Sequence, residues 1–143
     1  MDAPLAPHKT IKLTGLMSVI DEARAAKKAL LFFDESKQLS VFFSYKATLF
    51  ELNKEMLSLA LGKKTQAEVD ERFRKFLVNT MKSGDNLAIF VDASIPDFKA
   101  KFTDATCVPP FVFDMELMDK KENYKTVVRP DEDVDNFGNK NCY

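Results

Sequence analysis

Tryptophan is absent, histidine occurs once, and four glycines and two cysteines are all that 143 residues contain of either. Each scarcity removes a class of chemistry. The sole histidine, His8, lies in a polar, proline-containing arm (1–13), which leaves nothing for a histidine-based catalytic dyad. Cys107 and Cys142 with one histidine do not make up a structural zinc site, and a small secreted domain carries more cysteine pairs than this. Cys107, followed by Val108-Pro109-Pro110, reads as a small packed residue rather than a nucleophile. Charge of one sign is lacking too. The formal net charge is −1, without the basic excess that nucleic-acid binding needs. No apolar run approaches the roughly 20 residues of a membrane span. The opening "MDAPLAPHKT" has neither the basic nor the apolar region of a signal peptide. The expectation is a chain in the cytoplasm, with no nucleic acid and no membrane as partner.

What is present is apolar material for one core. Hydrophobic residues make up 45% of the chain, and 13 of them are phenylalanine. Leu16, Val19, Ile20 and Ala23 recur at helical spacing, and Ser18 with Asp21 has the form of a capping box, which predicts a helix over 16–28. The run "ALLFFDES" (29–36) predicts a strand buried on both faces that ends in Asp34-Glu35. From Ser40, the residues Phe42, Tyr45, Leu49, Leu52, Met56 and Leu59 repeat by three or four. They predict one long helix stopped by Gly62, although "SVFF" fits a strand as well. Thr65 and Glu68 form a second capping box ahead of Val69, Phe73, Phe76, Leu77 and Met81, with Gly84 as the stop. "NLAIFVD" predicts another buried strand ending in Asp92, Ser94-Ile-Pro-Asp97 a short helix, and "VPPFVFD" a third short strand or extended segment. From Asp114 the chain turns polar and acidic and loses its periodicity.

Strands separated by helices predict an α/β layered domain with a mainly parallel sheet over 14–113. It follows the arm and precedes an acidic tail or docking segment (114–143). In open parallel sheets, ligands bind beyond the carboxyl ends of strands. Asp34, Glu35 and Asp92 all fall at such ends. Two readings stand: the carboxylates converge on a divalent cation such as Mg²⁺, or they mark where the strands reach water. The tail run "DEDVDNFGNKN" lacks a calcium loop's spacing, since Gly138 misses the sixth place and Cys142 stands at the twelfth.

The succession of lead-in helix, "ALLFF", turn, helix and "NLAIFVD" resembles a P-loop NTPase core of the AAA kind. The stretch "AIFVDASIPDFKAKF…VPPFVFD" is similar to part of the AAA modules of dynein motors. That resemblance implies a phosphate loop after residue 33 and a metal-associated aspartate at Asp92. The turn Asp34-Glu-Ser-Lys-Gln-Leu-Ser-Val41 departs from it. It has no glycine to present backbone N–H groups, Leu39-Ser40 stands where Lys-[Ser/Thr] belongs, and two carboxylates would repel the anion. Lys37 and Ser40 are all that remains of such a loop. Ala93 follows Asp92, where a hydrolytic member often has glutamate. A second resemblance is to receiver domains, with Asp34-Glu35 as the acidic pair and Asp92 as phosphoacceptor, but no strand comes between them.

The expectation is therefore a non-catalytic structural or interaction subunit on a degenerate NTPase-like fold, without cofactor. The dynein likeness implies a cytoskeletal or ciliary assembly. Protein partners would dock on the acidic tail (Asp131, Glu132, Asp133, Asp135) or on the basic helix 66–82, where Arg72, Arg74 and Lys75 continue from Lys63 and Lys64. The alternative is a divergent Mg²⁺-dependent nucleotide site, or a phosphoacceptor, using Asp34, Glu35, Lys37, Ser40 and Asp92. A helical bundle in which the apolar runs are core helix is the third possibility.

Overall fold

The computed structural model describes residues 9–93, 95–98, 104 and 107–133. The chain divides into two compact units, Met1–Phe32 and Phe33–Tyr143.

In the first unit a single 3-10 turn, Leu13–Gly15, leads into α1 (Leu16–Ala25), which buries Leu16 and Ile20. The helix begins two residues before Ser18, so Ser18 and Asp21 lie inside it and its cap carries no side-chain hydrogen bond. The expected capping box is not there. The helix closes with Lys27 in the left-handed region (φ 54°) and Lys28 N–H donating to the Ala23 carbonyl at 2.9 Å.

The second unit is a mixed helix-and-strand body. Its order is α2 (Leu39–Lys46), β1 (Thr48–Phe50), α3 (Leu52–Ala60), α4 (Gln66–Ser83), β2 (Leu87–Ile89), α5 (Met115–Met118) and α6 (Lys121–Tyr124). β1 and β2 pair in parallel, Thr48 opposite Leu87 and Phe50 opposite Ile89, to give a two-stranded sheet flanked by helices. The α3–α4 pair forms the crossover that parallel pairing requires.

Two expectations fail here for one reason. The predicted strand 29–33 has no regular structure, and Leu31 and Phe33 are 72% and 75% exposed. The predicted long helix is cut at Ala47, which turns extended (φ −154°), and its middle becomes β1. A strand needs a ladder, and residues 87–89 accept only one neighbour among the described residues. Segment 48–50 takes that place because Phe50, 1% exposed, then packs edge-on against Phe73 and Phe76 at 5.3 and 5.0 Å. Tertiary pairing overrides local helical period.

α4 follows its sequence signals closely. The Thr65 hydroxyl accepts from Glu68 N–H at 3.3 Å, and the Glu68 carboxylate accepts from Thr65 N–H at 2.7 Å. Gly84 ends the helix at φ 68°, a conformation that glycine adopts without strain. The core lies on this helix: Val69, Phe73, Leu77 and Val78 pack with Phe50, Leu52, Val108 and Val127.

Past β2 the expected strand "VPPFVFD" is a single antiparallel bridge, Asp104 to Val108, followed by a turn in which Val112 N–H donates to the Pro109 carbonyl. Pro109 and Pro110 have no N–H to extend a ladder. Residues 95–97 are not helical, and the remainder of the helix expected from Ser94 lies outside the described residues, apart from one helical position at Phe98. Residues 114–133, expected as a tail, carry α5 and α6 and put Val127 in the core. Asp114 caps α5 by accepting from the Glu116 and Leu117 amides. The run 134–143, with the loosely calcium-loop-like residues, lies outside the described residues.

This packing predicts that Phe50→Ala costs about 3–5 kcal/mol of stability, as for a large core aromatic. Tyr45→Ala, in the apolar stripe expected on a single long helix, should change stability by less than about 0.5 kcal/mol. Urea unfolding of both variants checks this; equal losses would restore the single long helix.

Candidate functional site

The loop that stands where the resemblance implies a phosphate loop is filled by its own carboxylate. Asp34 Oδ1 accepts from the Ser36 N–H at 3.0 Å and from the Ser36 hydroxyl, and Oδ2 accepts from the Leu39 N–H at 2.8 Å. Leu39 is the first residue of α2, so the side chain occupies the anion-favouring N-terminus of that helix. The Ser36 hydroxyl is the main cause that lowers the Asp34 pKa; slight burial opposes it, and the amides of Leu39, Ser36 and Lys37 add to it. Lys37 sits in the left-handed region at φ 58° and is exposed. Ser40 is half-buried in the first turn of α2, and Glu35 is exposed. Asp92, three residues beyond β2, is exposed at φ 55°. Among the described residues, no three aspartate, glutamate, histidine or cysteine side chains gather closely enough to hold a metal ion. Asp34, Glu35 and Asp92 are thus not brought together as a cluster.

One cation of the basic helix, Arg74, turns inward, while Arg72 and Lys75 stay exposed. Arg74 is 2% exposed. Its Nε and Nη2 donate to the two carboxylate oxygens of Glu71 at 2.8 and 2.6 Å. Nη1 donates to the Val127 carbonyl at 2.8 Å and to Glu132 at 2.5 Å. Glu132 also accepts from the Arg129 amide at 3.1 Å, and Cys107 Sγ lies 3.8 Å from both Glu71 and the Arg129 guanidinium. The Glu71 hydrogen bonds raise the Arg74 pKa, and Arg74 in turn holds Glu71 below the usual carboxylate range. Burial pushes Glu132 up, but the bonds from Arg74 and the Arg129 amide outweigh it and leave its pKa lowered. Burial, reinforced by Asp104, raises Asp70 against the lowering bond from Gln66.

A second buried carboxylate, Glu55, takes Lys64 Nζ at 2.7 Å and Arg72 Nε at 2.9 Å. The Arg72 guanidinium also lies over the Phe76 ring at 5.3 Å. The acidic-segment residue Asp133 pairs with Lys125 at 3.4 Å. Much of the charge expected to meet a partner is therefore spent inside the fold. A groove of about 510 Å³ along α4, lined by Lys64, Ala67, Glu68, Glu71, Arg72 and Lys75, borrows its walls from these same pairs.

What the sequence reading missed is an apolar ridge. Val41 and Tyr45, four residues apart on α2, are 61% and 84% exposed, while Phe43 is buried. The Asp34–Leu39 bond draws the backbone next to exposed Phe33 against the start of the same helix. A signal was available: Val41 and Tyr45 share one side of this short helix, apart from the Ser40–Ser44 side, and its apolar residues can be buried only where neighbours cover them. Compared with family models, curated proteins and solved structures, the chain matches none.

Removing the guanidinium should expose its role. Arg74→Met leaves Glu71 and Glu132 without their shared cation and should cost about 3 kcal/mol, the low end for a broken buried pair because Glu71 stays partly hydrated. Both carboxylates have folded pKa values below their unfolded ones. Their contribution is complete above the ordinary value of 4.5 and fades as pH falls below it. Urea unfolding at pH 7, 4.5 and 3 should show a steeper acid loss in the parent than in Arg74→Met; parallel curves would mean that the triad does not couple to folding.

Proposed function

We propose that the chain is a non-catalytic protein-interaction module that docks through the exposed face of α2. The carrying observation is the contrast around that helix. Its N-terminal amide, the kind of group that would hold a phosphate, is taken by Asp34, while its apolar side chains Val41 and Tyr45 have no cover. An isolated exposed hydrophobe is ordinary; an exposed i, i+4 pair on one side of a helix is a patch with a direction.

In this reading the body is a degenerate relative of the NTPase-like layout. What supports this reading is a parallel strand pair, β1–β2, joined through helices, although β1 is segment 48–50 rather than the expected 29–33. The loop 34–39 serves as a helix cap where an active member would cradle phosphate. Asp92, Lys37 and Ser40 carry no chemistry, and the setting implied by the dynein likeness is a cytoskeletal or ciliary assembly.

Two measurements test the proposal together. Calorimetric titration with ATP, ADP and GTP, with and without Mg²⁺, should give no saturable heat; Mg²⁺-dependent binding abolished by Asp92→Ala would overturn the non-catalytic reading. A photo-crosslinking residue at position 45 should capture a discrete protein in cells, and the same residue at exposed position 82 should not. Loss of the adduct in Val41→Glu is the expected control. Equal capture from both positions would remove α2 as the docking face.

A further inference from the structure

We infer that residues 28–34 join two copies of this chain as a pair of antiparallel strands. Ala29-Leu-Leu-Phe-Phe33 is a run of five apolar residues without glycine, proline or charge. It has no regular structure, and Leu30, Leu31 and Phe33 are 41%, 72% and 75% exposed. From Leu31 to Glu35 the exposure alternates. Leu31, Phe33 and Glu35 are exposed and Phe32 and Asp34 half-buried, which is the period of two that a strand carries. Among the described residues, no hydrogen bond engages the backbone of Ala29, Leu30, Leu31 or Phe33. An apolar run with an unpaired backbone is a template for another chain.

The charges at its two ends select the second copy. Lys28 and Asp34 each stand three residues from Leu31, and Lys27 and Glu35 each stand four. An antiparallel pair centred on Leu31 sets Lys28 opposite Asp34, Ala29 opposite Phe33 and Leu30 opposite Phe32, with Lys27 and Glu35 just beyond. Each end then brings two cations to two carboxylates, and opposite charges across a strand pair stabilise it. Parallel pairing of two copies sets lysine on lysine and carboxylate on carboxylate, which opposes it. Lys27, Lys28 and Glu35 are exposed. Asp34 also caps α2, while Glu35 makes no ion pair among the described residues and has its whole charge to offer. Lys27 is left-handed at φ 54° and Asp34 is bonded to the start of α2, so the ladder runs no further than 28–34. A strand of unrelated sequence would have to reproduce this charge symmetry, which the chain already contains. Two short strands alone hold weakly, so the association depends on concentration.

The test is analytical ultracentrifugation of the full chain over a rising concentration series. The parent should pass from monomer to dimer. Leu31→Lys, which sets lysine on lysine at the centre of the pair, should stay monomeric. Lys27→Glu combined with Lys28→Glu should weaken dimerisation at least about tenfold. Glu35→Lys should weaken it too, and a mixture of these two variants should dimerise more tightly than either alone, because acidic ends then meet basic ones. Tyr45→Glu, on the α2 face, should change nothing. All of these positions are exposed, and circular dichroism melts confirm that each variant is folded. Strand direction is read by oxidising Ala29→Cys mixed with Phe33→Cys. Mass spectrometry should find a 29–33 cystine in excess over the 33–33 cystine, since directly opposed residues lie within disulfide reach. A monomer at every concentration would overturn the inference, and so would a dimer unaffected by Leu31→Lys. A dimer lost in Tyr45→Glu alone would move the contact to α2. An excess of the 33–33 cystine, or indifference to both charge variants, would overturn the antiparallel register. Open-ended growth past the dimer would replace the pair with stacked strands.

Discussion

A guanidinium keeps its proton throughout the physiological range, so a chain that buries one must bring acceptors to it. Arg74 enters the interior because α4 is buried over a broad face: Val69, Phe73, Leu77 and Val78 face the core, and position 74 lies among them. Glu71, one turn back on the same helix, answers half of the charge. The other half is answered from 58 residues downstream by Glu132, with the Val127 carbonyl between. These acceptors fix where the segment after α6 lies, and Val127 then fills the core against α4. An ion triad of this kind adds little net stability over an apolar replacement, yet it is costly to break. Its contribution here is to give a polar, weakly patterned segment one place to go.

That segment shows why composition misleads. Its acidic, aperiodic run reads as a solvated tail, because pattern methods see helices and strands through repeated apolar spacing. A single valine and a single glutamate, each with a specific counterpart on α4, leave no such trace. The helix that receives them was legible in nearly every detail, since its start, stop and buried face are all written locally in Thr65, Glu68, Gly84 and the heptad-like apolar residues. The same local signals did not say that Arg74 points inward. Only the missing partner, far along the chain, distinguishes a buried arginine from the exposed cations beside it.

The candidate site was legible in its residues and not in its arrangement. The sequence shows Asp34 and Glu35 together in a loop without glycine, which reads as the loss of a phosphate cradle. The hydrogen bonds show the complementary fact: a helix N-terminus attracts an anion, and a carboxylate five residues before Leu39 supplies one from within the chain. The alternative of a metal on Asp34, Glu35 and Asp92 pictured two neighbouring strands ending side by side; among the described residues 29–33 lies outside the sheet, and Asp34 is bonded to the start of α2.

The exposed ridge follows from the strand that displaced it. Had one helix run from Ser40 to Gly62, Tyr45 would share a face with Leu49, Leu52, Met56 and Leu59, the phase that the apolar spacing implies. Pairing of 48–50 with 87–89 breaks the helix at Ala47 and resets the phase on either side. Leu52, Met56 and Leu59 keep the core, and Phe50 joins it from β1. α2 is left with eight residues, packed beside β1 through one side, and its remaining apolar side chains are turned to solvent. Among the described residues the sheet has two strands and offers no further surface to cover them. The core's gain from placing Phe50 between Phe73 and Phe76 is thus what leaves Val41 and Tyr45 uncovered.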